Sequence, residues 1–323
     1  GEYAADVSVN PWLAFFLRRL VGLVAILGGL LSATFLMIRL VPGDPARILA
    51  GFASTEKNVE LIRHILGLDK PLWQQYLTYV ADVLHGNLGY SFYTNQTVGS
   101  LIAQRAPSSI ELAAVALVLM MLVSIPGGIL LAAFTREGRH RSAEGVFTGL
   151  SSVLGAVPEF LMATFLAFIF AVGLRVLPVA GEEGWSSLVL PVLAISLRPT
   201  AILMRLVRVE TLNVLSQDYI RTARSKRIRP LLVYLRHVLP NVLTAAVTVG
   251  GLLFAGLIGG AVVVENVFAR NGLGTALVGS VLARDYNVVQ GIVLVLGVAV
   301  VAVNTLVDVI LALVDPRSLT RQI

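Results

Sequence analysis

Six long apolar runs divide the chain, at about 15–41, 110–134, 146–174, 188–210, 241–264 and 288–314. Each is near or above the ~20 residues that a helix needs to cross hydrocarbon. Polar residues collect between the runs rather than alternating within them, which predicts helices joined by loops: an all-α integral membrane fold with six transmembrane helices. Pro126 in the second run and Pro158 in the third predict kinks, because proline removes a helical donor and crowds the preceding turn. Glycines recur in the fifth run (Gly250, Gly251, Gly256, Gly259, Gly260), where small residues let helices approach closely. Arg18 and Arg19 precede the apolar stretch Leu20–Ile38, and no A-x-A-like site follows it. A retained first span is therefore expected, rather than a cleaved leader.

The polar stretches differ in kind. Residues 42–107 open on a turn signal, Pro42-Gly43-Asp44-Pro45, and continue with a helical pattern over Glu56–Leu66. A second helix is predicted with Asp69 as its cap, Pro71 in its first turn and a body reaching about His85, closed by Gly86-Asn87-Leu88-Gly89. Tyr76, Tyr79, Tyr90, Phe92 and Tyr93 give this segment aromatic character. They suit either an interfacial belt or a docking surface for a partner.

Residues 216–240, SQDYIRTARSKRIRPLLVYLRHVLP, are the most basic stretch of the chain, with Arg221, Arg224, Lys226, Arg227, Arg229 and Arg236. A charged side chain in lipid costs several kcal/mol, so this stretch must face water. The positive-inside bias assigns it to the cytoplasm. The same bias favours both termini inside: the proposed cytoplasmic segments hold 15 Lys/Arg, against three (Arg175, Arg270, Arg284) in the two short outer loops. Ser216-Gln217-Asp218 offers N-cap residues for a short helix, in which Tyr219, Ala223 and Arg227 would share a face. Such a helix could sit in a groove on a soluble partner or lie on anionic headgroups.

Composition narrows the function classes. The 323 residues are 56% hydrophobic and 14% charged, against about 25% charged in soluble domains. There is no cysteine, which excludes disulfides and thiolate metal sites. The four histidines are scattered, so no metal site is expected. The net charge of +6 is accounted for by arginines at the ends of apolar runs rather than by nucleic-acid binding. No G-x-x-x-x-G-K-[ST] sequence occurs, so the chain carries no P-loop. No Ser/His/Asp set or H-E-x-x-H motif occurs either, so an enzyme is not expected.

Gln217-Asp218-Tyr219-Ile220-Arg221-Thr222-Ala223-Arg224-Ser225-Lys226, with Leu239-Pro240 closing the stretch, resembles the EAA loop of ABC-importer permeases, in the version found in the dipeptide/oligopeptide/nickel permease family. The resemblance extends over residues 41–317. It includes Val41-Pro42-Gly43-Asp44-Pro45, Leu66-Gly67-Leu68-Asp69-Lys70-Pro71, Gly86-Asn87-Leu88-Gly89-Tyr90-Ser91 and Leu177-Pro178 with Gly181. Further on it includes Glu265 to Phe268, Gly272-Leu273-Gly274, Ala283-Arg284-Asp285-Tyr286, Val289-Gln290-Gly291, Asn304, Val307-Asp308 and Asp315-Pro316-Arg317. The order and spacing match the first of two permease subunits, the one with the long first outer loop. Two positions depart from the pattern: Asn271 stands where proline is common, and Arg227 stands at the motif's glycine, which puts the turn after the short helix in question.

The resemblance implies a type I ABC-importer-like permease in a prokaryotic cytoplasmic membrane. Residues 1–14 would be a cytoplasmic segment, 15–41 the first span, 42–107 a helical extracytoplasmic loop and 108–323 a five-helix core with a coupling loop at 213–240. Asp218 to Arg227 would couple to cytoplasmic ATPase subunits, which carry the ATP and magnesium; no cofactor is expected on this chain. A second homologous permease and an extracytoplasmic solute-binding protein are the other implied partners. The implied cargo is di- or oligopeptide, with nickel or another small solute as the alternative. An ion-coupled secondary transporter would instead show paired broken helices and inverted repeats. Polar residues inside the spans (Glu159, Arg198, Asn304, Asp308), with Glu265 and Asn266 at the outer end of the fifth, are costly in lipid. They are expected to line the translocation path or to pair within the bundle.

Overall fold

The computed structural model describes residues 11–40, 44–50, 54–65, 67–91, 93–138, 140–181 and 184–314. Residues 1–10 of the predicted cytoplasmic segment 1–14, Val41-Pro42-Gly43, Leu66, Phe92 and Asp315-Pro316-Arg317 lie outside them. Among the described residues the chain is helical apart from one hairpin. In order come α1 (Pro11–Leu40), α2 (Pro45–Ala50), α3 (Glu56–Ile65) and α4 (Leu72–Leu84). A two-residue antiparallel pair follows, β1 (Tyr90–Ser91) with β2 (Gln96–Thr97). Then come α5 (Val98–Thr135), α6 (Arg141–Ala156), α7 (Glu159–Leu166), α8 (Ser186–Leu215), α9 (Asp218–Ser225), α10 (Pro230–Val233), α11 (Leu239–Val267), α12 (Leu273–Leu282) and α13 (Tyr286–Val314).

Five helical stretches are long and apolar enough to cross a membrane, and a sixth is completed if α6 and α7 with its continuation to Gly173 count as one span. That pair bends by 104°, so the kink expected at Pro158 is a break. Proline disfavours the helical region for the residue before it. Val157 is accordingly extended (ψ 123°), and Pro158 itself caps the next helix with ψ 148°. By contrast α5 runs unbroken through Pro126. π-helical turns continue α7 over Ala167–Gly173 and join α10 to α11 over Tyr234–Val238. Helix α8 continues five residues past its apolar run, to Leu215.

The chain divides into two compact units. The first comprises Gly1–Arg19, Ser108–Thr275 and Ala302–Ile323. In it α8 packs against α6, α7 and α11. One dry cluster joins Leu112, Ala163, Leu190, Ile195, Ala261 and Phe268; a second joins Met120, Leu203, Val207, Ile220, Val238 and Val242. Gly128 permits the close approach of α5 to α8: a Cβ there would meet the Met204 carbonyl at 2.8 Å. Nearby, the buried Ser124 hydroxyl donates to the Thr200 carbonyl across the same interface (3.1 Å), polar glue of the kind used within membranes.

The second unit comprises Leu20–Pro107 and Ala276–Val301. Two phenols fasten its loop helix α4 to α1. Tyr76 and Tyr79 sit 2.9 and 3.0 Å from the hydroxyls of Ser32 and Thr34, and both rings pack on Phe35. Neither therefore offers an open ring face; among the described tyrosines of this segment Tyr90 and Tyr93 are exposed. The expected cap of α4 is also revised. Pro71 occupies the N-cap, and the Asp69 carboxylate lies 3.2 Å from His64 instead.

Candidate functional site

The basic stretch folds into a short helix between two long ones. Helix α9 is bounded by Gln217, whose extended backbone occupies the N-cap without a side-chain bond. Ser216 caps backward, donating to the Asn213 carbonyl. The Ser-Gln-Asp capping expected from sequence is therefore replaced by a turn. The expected face of Tyr219, Ala223 and Arg227 also does not form. Ile220 (0% exposed) and Ala223 point inward, Tyr219 is 46% exposed, and Arg227 lies beyond the helix. Ile220 and Ala223 join Val214, Leu215, Val233, Val238 and Val242 in one dry cluster. This plugs α9 into the helices on either side of it. Asp218, Arg221, Thr222, Arg224, Ser225, Lys226 and Arg227 all face outward, with Arg229 beyond them.

The turn questioned at Arg227 is present, and Arg227 makes it. Its φ is +53°, the left-handed region that favours glycine. The Arg227 N–H donates to the Arg224 carbonyl (2.8 Å) and Ile228 N–H reaches back to Ala223 (3.4 Å). These are the paired bonds of a Schellman motif, and the accompanying apolar contact is supplied by Ile228 against the cluster that holds Ala223.

An ion pair and hydrogen bonds that sequence reasoning missed tie α8 to α5 and α6. Arg208, nearly buried, bonds the Glu144 carboxylate (2.5 Å) and the Thr135 hydroxyl, joining α8 to α6 and to the end of α5. Arg205 donates to Ser151 and Ser152 of α6. In the sequence these arginines were indistinguishable from the other charges at span ends.

The polar residues inside the spans separate into three situations. Arg198 and Glu159 lie 3.5 Å apart and are both partly open, at 45% and 30% side-chain exposure. Glu159 begins α7 directly after the break, Arg198 precedes Pro199 in α8, and the Glu159 carboxylate rests against Gly260 of α11. Asp308 forms an ion pair with Arg19, so its bonding is internal. Asn304 is partly buried on α13.

Glu265 and Asn266 diverge although adjacent. Asn266 is exposed and donates to the Val262 carbonyl one turn back. Glu265 is fully buried, so it does not line an open path. Its Oε2 accepts from the Gly274 N–H at 2.6 Å, a carboxylate at the N-terminus of α12 where orphan donors and the helix dipole favour it. A Cβ on Gly272 or Gly274 would overlap this carboxylate. Beside it Arg270, 2% exposed, donates to Ser108 and Glu111 of α5, and Ser109 accepts from the Leu273 N–H. Gly272-Leu273-Gly274 therefore leads into a helix seated on a buried carboxylate.

Residues 124–320 match the family described as binding-protein-dependent transport system inner membrane component, and residues 12–113 match its N-terminal membrane-component family. The chain belongs to this family. It is 40% identical over 312 residues to a Brucella abortus protein named for a peptide transport system permease, with 94% of this chain and 98% of the relative covered. It is 34% identical over 305 residues to the glutathione transport system permease protein GsiC of Escherichia coli K12, with the same coverage. Among solved structures, inward-facing MetNI methionine ABC transporter resembles it with a TM-score of 0.57 at 16% identity, covering 67% of this chain and 96% of that one. That likeness concerns the fold.

Membership makes the chain a multi-pass inner-membrane permease component of an ABC importer, working with ATPase and substrate-binding components on other chains. The ion-coupled alternative is set aside by it. The apolar plug under α9 thus belongs to a protein that must take mechanical work from a separate ATPase.

Proposed function

We propose that this chain is one of two homologous permease subunits of a di- or oligopeptide importer and forms half of its translocation pathway. The supporting observation is its likeness, over nearly its whole length, to permeases named for peptide and glutathione transport. Glutathione is itself a small peptide, so both names describe one substrate class. Nickel or another small solute is the alternative cargo. Both termini face the cytoplasm, residues 42–107 form an extracytoplasmic subdomain, and a solute-binding protein delivers substrate to that side.

Residues 216–230 receive the motion of one of two ATPase subunits, which hold the ATP and magnesium. The burial of Ile220 and Ala223 supports this reading: a helix rigidly seated in its own bundle moves with it. ATP-driven closure of the ATPase pair would then rock the spans as rigid bodies between inward- and outward-facing states. Its exposed arginines and Lys226 would complement an acidic cleft rim.

In the same reading the Arg198–Glu159 pair lines the path, offering a cation to a peptide carboxylate and a carboxylate to its amine. Uptake of a labelled dipeptide into cells with and without this gene, competed by longer peptides and by nickel, tests the assignment. Loss on deletion with restoration by the wild-type gene supports peptide import; unchanged peptide uptake moves the cargo to nickel or another solute. Arg198→Ala is expected to raise the KM for peptide uptake several-fold with the complex still assembled. Unchanged kinetics would remove the pair from the path.

A further inference from the structure

The second unit contains a cavity of about 700 Å³, within the range typical of small-ligand sites. Its walls come from the end of α1, the loop helices and the segment leading into α13. Three cations line it: Arg39, Lys70 and Arg284. Arg39 is held in place by the Phe35 ring, 3.5 Å from its guanidinium carbon, and by a bond to Gln75. Lys70 and Arg284 are exposed, and among the described residues neither side chain meets an acceptor. Of the two acids, Asp285 is already engaged by the Ser91 hydroxyl and the Val288 N–H. Among the described residues nothing bonds the Asp82 carboxylate, which is left open.

Position decides what such a cavity would take. Arg39 stands two residues beyond the apolar stretch Arg19–Met37, and Arg284 two residues before the stretch Tyr286–Ile310. Cavity residues therefore flank the ends of two spans, at the level where headgroups lie. Tyr79, Tyr93 and Tyr286 share the lining, the residue type that prefers this interface.

We propose that this cavity binds the headgroup of a membrane phospholipid, with Arg39, Lys70 and Arg284 facing its phosphate and Asp82 accepting from its ammonium or hydroxyl groups. A free phosphate would satisfy the same cations but not use the span ends.

The test is native mass spectrometry of the intact importer complex in detergent with added phosphatidylglycerol or phosphatidylethanolamine. The comparison is wild type against the double variant Lys70→Gln, Arg284→Gln. Among the described residues neither side chain has an acceptor to lose, and Lys57→Gln, which removes an exposed charge of the same unit outside the cavity, is the control. Each cation near an anionic headgroup is worth about fivefold, so the double variant should retain lipid roughly 30-fold more weakly. The control should match wild type, and inorganic phosphate should fail to displace the lipid. Equal retention in the double variant overturns the proposal, as does displacement by inorganic phosphate. If the double variant keeps its lipid but loses capture by the solute-binding protein, the cavity is a protein-docking surface and the headgroup assignment fails.

Discussion

The helical run from Pro230 to Val267 is anchored at its two ends by opposite chemistry. Before its start, α9 is held by apolar side chains: Ile220 and Ala223 are buried, and every charge nearby faces outward. After its end, the loop into α12 is held by charges: Glu265 and Arg270 are buried, tied to Gly274, Ser108 and Glu111. The backbone device is the same in both places, a Schellman turn closed by a non-glycine residue with positive φ, Arg227 at one and Ala269 at the other. An apolar plug fixes a position while leaving the outer face free to be basic, which suits the coupling role proposed for α9. A buried ionic seat adds direction, because each bond has one geometry, and it fails sharply when one member is lost.

The largest effect is therefore expected at the ionic end. Glu265→Ala leaves the Gly274 N–H without its acceptor and Arg270 with less compensation. Breaking a buried charged contact costs about 3–5 kcal/mol. The complex should lose most of its assembly, or melt far lower in detergent. Glu265→Gln, which keeps an acceptor oxygen for Gly274, should recover part of the loss. A Glu265→Ala complex melting like wild type would mean that the loop does not depend on this seat.

Next is the apolar end. Ile220→Ala removes the larger half of the plug at a cost of about 2–5 kcal/mol if the cavity does not collapse. The helix would remain with its charges, so binding of the ATPase should persist. The diagnostic result is a divided one: ATP hydrolysis retained, peptide uptake reduced severalfold per ATP. Parallel loss of both would show that α9 positions the ATPase without transmitting its motion.

The same contrast explains what could be read from the sequence. The spans were legible because an apolar run of about 20 residues has few other folds available. The plug was partly legible: Ile220 and Ala223 are the apolar pair at helical spacing, although Tyr219 drew attention to the wrong face. Where polar residues continued a helix, hydropathy was silent, which is why α8 runs on to Leu215. The ionic seat was not legible, since Glu111 and Arg270 lie 159 positions apart and nothing local marks either as buried. Glu265 read as a path residue because a charge in an apolar span suggests water nearby, and α12's first amides are an alternative that only the fold reveals. The break at Pro158 was seen as a kink because a single proline does not announce how far the chain turns.

The smallest expected effect isolates the turn that both ends share. A non-glycine residue in the left-handed region costs about 1–2 kcal/mol, and glycine gives back part of this through its greater freedom when unfolded. Arg227→Gly should thus stabilise the turn after α9 by up to about 1 kcal/mol, but it also removes a cation from the outward face. Arg227→Ala separates the two contributions, because it deletes the same charge and keeps the backbone strain. The glycine variant should melt above the alanine variant in detergent, while both should show the same weakening of ATPase affinity. If the two melt together, residue 227 does not hold the left-handed conformation, and the turn into α10 is closed by other means. If they differ in melting but neither weakens ATPase binding, Arg227 serves the turn alone, and the contact surface lies on Arg221, Arg224 and Lys226.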